Sequence, residues 1–185
     1  MSDFVKETSI PGLFIIERPT FRDGRGFFRE VFHLDELEQK LGKSFKIVQL
    51  NHSLSKPNVI RGLHADRWNK LVYPLTGKAF AAITDIRPDF PTFSKVETFE
   101  FDDENRYALF IPRGLANSVC ADGKEVVNYI YLVDDYYDPK NPGTTSIVWN
   151  DPDLKIPWPL EDAIISERDR NNPRLRDLFP AKFSR

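Results

Sequence analysis

Proton transfer near neutral pH is the work of histidine, and this chain has only three, His33, His52 and His64. His64 closes the run VIRGLH (59–64), and six residues later Lys70 opens the apolar run KLVYPL (70–75). A strand end is a rigid platform at the mouth of a barrel, so His64 is the best-placed candidate for a general base. Taken from pattern alone, a core or surface role for such a histidine is the commoner one, and His33 and His52 are left as structural. A second chemical group lies in YIYLVDDYYDP (129–139), where alternation puts Tyr129, Tyr131 and Val133 on one face of a strand. A phenol there hands over a proton or packs as an amphipathic wall. Arg25 and Arg61 each adjoin a glycine, and so offer forked donors to a diphosphate, with a surface salt bridge as the equal alternative. Asp169, in ISERDRNNP (165–173), reads as an Asx-turn or helix cap.

Several chemistries lack their patterns. No H-x-H pair occurs and the histidines are far apart, so no metal is expected. Neither G-x-x-x-x-G-K-[ST], G-x-G-x-x-G nor G-x-S-x-G is present. The single cysteine, Cys120, allows no internal disulfide, which fits a reducing compartment, and cytoplasm is the expected location. Lys+Arg at 26 against Asp+Glu at 28, with the basic residues scattered, argues against nucleic acid as a partner. The opening MSDFVKETSI lacks a basic segment followed by an apolar run, and no stretch is long and apolar enough to cross a bilayer, so a soluble protein without membrane partners is expected.

The elements that must hold these groups are mostly short strands. Fifteen Phe, 14 Pro and one Met favour strands and turns over helical bundles. The run GLFII (12–16) reads as a strand paired across the DGRG turn (23–26) with FFREVF (27–32) in a hairpin. DELEQKL (35–41), with a polar cap candidate and Gly42 as its stop, is the one early helix. Then come FKIVQLN (45–51), VIRGLH, KLVYPL, AFAAITDI (79–86), KVETFEF (95–101), YALFIP (107–112), NSVCA (117–121), EVVNYIYLV (125–133) and TSIVW (145–149). Regular short strands of this kind predict a β-sandwich or barrel, in one domain spanning 1–185. The Pro-rich stretch after Trp149 reads as a wrapping tail, with a short helix near 174–179. Pattern alone ends at a soluble β-barrel with a candidate His/Lys/Tyr pocket.

The ordered motifs resemble those of the dTDP-4-dehydrorhamnose 3,5-epimerase family, which includes 3-only epimerases of related nucleotide sugars. The resemblance runs through FRDGRGFFRE (21–30), VQLNHS (48–53), RGLH (61–64), KLV (70–72), DIR (85–87), PTF (91–93), IPRG (111–114), YLVDDYYDP (131–139), WNDP (149–152) and SERD (166–169). It implies an all-β, double-stranded β-helix (jelly-roll, cupin-like) barrel that is free of cofactors. It also implies a nucleotide-linked 4-keto-6-deoxyhexose as substrate. By the same resemblance His64 is the base, oriented by Asp169. Lys70 stands beside the substrate ketone and Tyr131 across the ring as the proton donor. Arg61 meets the diphosphate, Gln49 and Asn51 the pocket wall, and Tyr137 the nucleotide base. Arg25, Phe28 and Glu30 come from a neighbouring subunit, which implies a homodimer.

The chain departs from the family's pattern in two places. HADRWNK (64–70) is shorter than the family's loop before the lysine and differs in chemistry, so the pocket rim is expected to be reshaped. Asn117 stands where the family tends to carry a histidine; an amide cannot take over a proton, which points to inversion at C3 with C5 in question. The rival readings are an inactive sugar-nucleotide-binding barrel, a 3,4-ketoisomerase and a metal-dependent cupin enzyme.

Overall fold

The structure is a computed structural model and describes residues 4–141 and 143–184 of the 185. Its elements in chain order are β1 (Val5–Glu7), β2 (Phe14–Ile16), β3 (Thr20–Asp23), β4 (Gly26–Arg29), α1 (Leu34–Leu41), β5 (Gln49–Ser55), β6 (Ile60–Ala65) and β7 (Lys70–Thr76). They continue with β8 (Ala79–Asp85), β9 (Val96–Phe101), β10 (Ala108–Ile111), β11 (Leu115–Ala121), β12 (Val127–Val133), β13 (Thr145–Ser146), α2 (Glu167–Arg170) and α3 (Leu175–Leu178).

The strands form a six-stranded sheet in the order β1-β2-β10-β7-β12-β5 and a five-stranded sheet in the order β13-β6-β11-β8-β9. All their ladders are antiparallel. This is the expected jelly roll. Consecutive strands β6 and β7 belong to different sheets, as do β7 and β8, so the chain crosses the sandwich at these corners.

Apolar side chains from both sheets meet between them, among them Val72, Leu109 and Tyr129 from one sheet and Ile83, Phe101 and Val119 from the other. The outer faces are covered as well. Helix α1 and the segment that follows it close one, through Leu37 and Phe45 against Phe14, Leu71, Tyr73 and Phe110. The Pro-rich tail closes the other, through Leu154, Leu175 and Trp158 against Leu63, Ala116 and Phe80. Strand β8 is buried along its whole length for this reason, and its near-continuous apolar run AFAAITD follows from cover on both faces. Among the described residues no helix is long and apolar enough to cross a membrane.

Three local expectations change. The hairpin across 23–26 pairs β4 with β3, not with 12–16. Pro19 lacks the N–H a continuous strand needs, and β2 is taken instead by β1 and β10. Strand β5 begins at Gln49 rather than at 45, because Phe45 turns inward to an edge-on contact with Phe110, ring centroids 5.2 Å apart. Helix α1 starts one residue early, with His33 at its N-cap and no side-chain capping bond; Gly42 ends it in the left-handed conformation as expected.

Candidate active site

His64 lies in β6 and Lys70 at the start of β7, and the sheet change between them spreads the two groups across the mouth of the sandwich. Both line a cavity of about 500 Å³ whose wall also includes Arg61, Asn117, Tyr131 and Asp169. Strand β12 contributes Tyr129 and Tyr131 from its inner face, while Ile130 and Leu132 pack on the outer side, as period-2 alternation requires.

A β-bulge decides what β6 presents. Opposite Asn117 and Val119, two apart on β11, stand His64 and Arg61, three apart on β6. The extra residue lets Arg61 and His64 both face the cavity, whereas unbroken alternation would send them to opposite faces. Gly62 makes the bulge feasible. Its φ is +134°, and an added Cβ would come within 2.6 Å of the Ser118 Cβ and 2.8 Å of the Asn117 carbonyl oxygen.

Asp169 arrives from the tail. It sits in α2, whose N-cap Ser166 accepts the Asp169 N–H at 3.1 Å, and is only 4% exposed. Its Oδ1 is 2.8 Å from His64 Nε2, and its Oδ2 accepts the Gly62 N–H at 3.4 Å. Burial pushes this carboxyl upward, but the hydrogen bond and charge of His64 and the Gly62 amide outweigh burial and hold it below the usual carboxylate range. A carboxylate accepts only, so neutral His64 carries its proton on Nε2 and keeps its lone pair on Nδ1.

Lys70 is 8% exposed. Its ammonium contacts the Asp66 carboxylate, donates to Asn117 Oδ1 at 2.5 Å and lies 5.9 Å from the Tyr131 ring centroid. Burial pushes the Lys70 amine down and Asp66 works against that. Burial likewise pushes the Tyr131 phenol up, Asp66 adds to it, and Arg61 opposes it. Arg61 is held by its bonds to Ser55 Oγ at 2.9 Å and the Leu54 carbonyl at 3.1 Å, which leaves the rest of its fork for an oxygen-rich ligand. Tyr137 reaches the cavity beside Trp68, ring centroids 6.5 Å apart.

The remaining residues singled out in the sequence lie elsewhere in the single chain. Gln49 and Asn51 share the inner side of β5 with Ser53, but only Ser53 lines the cavity; Gln49 donates to Asn51 Oδ1 at 2.7 Å. Arg25 is exposed on the β3–β4 hairpin and tied to Asp23 at 2.6 Å. Phe28 on the same hairpin is 63% exposed, and Glu30 pairs with Arg18 at 3.0 Å. His33 stays near Glu30 and His52 is 2.9 Å from Asn128 Oδ1, both outside the cavity. Asp66, Trp68, Thr144 and Arg168 are wall residues that sequence reasoning did not assign. For Asp66 a signal existed, since a carboxylate stands between the candidate base and lysine in the departing loop. Among the described residues no group of three His, Cys, Asp or Glu is placed to hold a metal.

The family profile described as dTDP-4-dehydrorhamnose 3,5-epimerase matches residues 7–177. The chain belongs to that family. A curated member from Methanothermobacter thermautotrophicus is 39% identical over 181 residues, covering 94% of this chain and 95% of its own. Among solved members, the Legionella pneumophila enzyme in complex with dTDP-4-keto-L-rhamnose superposes with a TM-score of 0.85 at 35% identity, covering 96% of this chain and 95% of that one. A 3′-monoepimerase from Streptomyces bikiniensis in complex with dTDP-quinovose gives 0.86 at 27% identity, with 95% and 89% covered. The jelly roll is thus one on which both 3,5- and 3-only epimerases are built, and the backbone does not separate them.

Proposed function

We propose that this family member inverts C3 of a nucleoside-diphosphate 4-keto-6-deoxyhexose, with dTDP as the nucleotide of its relatives, in deoxysugar synthesis that feeds surface polysaccharide. One observation carries the reading: the His64–Asp169 pair faces Lys70 and Tyr131 across a single cavity. A C–H beside a ketone is acidic because the charge left behind moves to the ketone oxygen. The site therefore needs a base at carbon and a cation at oxygen. His64 Nδ1 takes the C3 proton, and Asp169 fixes the tautomer and favours the imidazolium that forms. The Lys70 ammonium steadies the C4 enolate oxygen, an interaction worth roughly 3 kcal/mol in comparable sites. Tyr131, kept protonated by its surroundings, returns a proton to the other face of C3, which inverts it. Arg61 suits the diphosphate and the Trp68–Tyr137 edge the nucleotide base.

C5 chemistry turns on Asn117. Its amide oxygen is occupied by the Lys70 ammonium, and an amide offers no proton relay. That favours C3 as the first and faster position. Proton NMR of a freshly generated dTDP-4-keto-6-deoxyglucose in D2O tests the whole reading. H3 should disappear with enzyme, and His64→Ala should slow the loss by about 10²–10⁴-fold. Loss of H5 at a comparable rate would make this a 3,5-epimerase; no exchange at either position would return the inactive barrel.

The same reading takes residues 1–185 as one domain, supported by cores that join both sheets, α1 and the tail. It takes the assembly as a homodimer, supported by apolar side chains left exposed at Phe21 and Phe28 of the hairpin and at Leu50 and Leu54 of edge strand β5. It takes the location as cytoplasmic, supported by the single cysteine, Cys120, which leaves no internal disulfide to form.

A further inference from the structure

The loop from β6 to β7 brings a second carboxylate to the cavity. Asp66 has a side chain only 10% exposed, contacts the Lys70 ammonium, and accepts from Thr144 Oγ1 at 2.6 Å. The Thr144 bond occupies Oδ1 and the Lys70 contact is made by Oδ2, so the carboxylate is held from two sides. Besides Asp66, the charged or titratable groups that share this cavity with Lys70 among the described residues are Arg61 and His64 from β6, Tyr129 and Tyr131 from β12, Tyr137 from the segment after β12, and Arg168 and Asp169 from α2. The two carboxylates among the wall groups divide their work: Asp169 is bonded to His64, and Asp66 is the one in contact with the ammonium.

Without that partner the site would work against itself. A lysine this deeply buried tends to give up its proton, and an amine carries no charge to set against an enolate oxygen. The other polar contact, Asn117 Oδ1, accepts a hydrogen bond but brings no charge. The same anion lies near enough to Tyr131 to oppose its ionisation.

We propose that Asp66 is a positioning residue of the reaction, one that keeps Lys70 an ammonium at the substrate's C4 oxygen and Tyr131 a neutral phenol ready to deliver its proton. The inference rests on the C3 inversion proposed above for what the two groups do, but not for their protonation in the free protein.

The sign is the same for both groups. Removing the anion makes the ammonium easier to deprotonate and the phenol easier to ionise, so both changes bring the alkaline loss of activity to lower pH. The test follows the Lys70 ¹³Cε resonance, assigned with Lys70→Arg, against pH in the intact free protein. Asp66→Asn should lower the titration of Lys70 by about one to three pH units, and Asp66→Glu should restore most of it. In the H3 exchange assay the alkaline limb of kcat should move down by a similar interval in Asp66→Asn, with KM changed less than kcat. An unchanged Lys70 titration in Asp66→Asn overturns the inference whatever happens to activity. So does a loss of rate that is equal at every pH and is not rescued by Asp66→Glu, which would make Asp66 a loop-holding residue only. If the wild-type protein exchanges no H3, the reaction reading fails by itself, and the Lys70 titration still judges Asp66.

Discussion

Tyr131 and His64 face one cavity from different sheets, and that separation lets abstraction and return of a proton be told apart. With Tyr131→Phe, His64 can still remove H3 and hand back a solvent-derived deuteron to the same face. The expected outcome is deuterium at C3 with the starting configuration kept, seen as H3 loss without a new sugar in the NMR spectrum. Inverted product formed at the wild-type rate would remove Tyr131 from the role. Asp169 leaves a trace in stability as well. Its carboxyl is depressed in the folded protein, so its contribution is present above the unfolded value near 3.9 and is lost as pH falls through the folded one. Melting temperature followed against pH should therefore drop more steeply below about pH 4 in the wild type than in Asp169→Asn. Parallel curves would mean that the His64 pair adds no proton-linked stability.

At the scale of the element, the bulge in β6 is the feature on which the wall depends. Gly62→Ala must force a Cβ against Ser118 and the Asn117 carbonyl at a positive φ. Overpacking of this kind costs on the order of 1–3 kcal/mol. The cost should appear in denaturant melts together with weakened exchange activity, since Arg61 and His64 lose their common face. A fully active, equally stable Gly62→Ala would show that β11 gives way instead. The short helix α2 matters for a different reason. At four residues it has little stability of its own, and it holds Asp169 in place because Ser166 caps it and Ile165 is buried beside it in the tail's packing.

For the whole molecule, the β3–β4 hairpin is the outlier. It carries Phe21, Phe27 and Phe28 exposed, at 61%, 58% and 63%, where a stable monomer would bury them. In the homodimer reading the hairpin packs on the second subunit, and Arg25, Phe28 and Glu30 reach that subunit's cavity. Sedimentation should show a dimer at micromolar protein. Paired Phe21→Asp and Phe28→Asp changes should shift it towards monomer and lower exchange activity while the far-ultraviolet circular dichroism stays the same. A monomeric wild type with full activity would count against both the dimer and the shared site.

Much of this architecture was legible from local pattern. Alternation puts Tyr129 and Tyr131 on one face of β12, because side-chain direction along a strand is a local property. The left-handed stop at Gly42 and the wrapping Pro-rich tail are local too. The ordered motifs, read as a resemblance, point to His64, Lys70, Tyr131 and Asp169, and the fold brings these four to one cavity. What pattern could not supply was whatever depends on a partner distant in the chain. Simple alternation puts Arg61 and His64 on opposite faces, and only the register against β11 turns them to the same one. Asp169 reads as a turn residue until the tail folds back over the five-stranded sheet and lays it 2.8 Å from His64. Asp66 looks like an ordinary loop aspartate until the corner between sheets closes it onto Lys70. Residue types and strand directions are written locally, whereas burial, register and charge partners come from segments far apart in sequence, so the tertiary structure alone decides them.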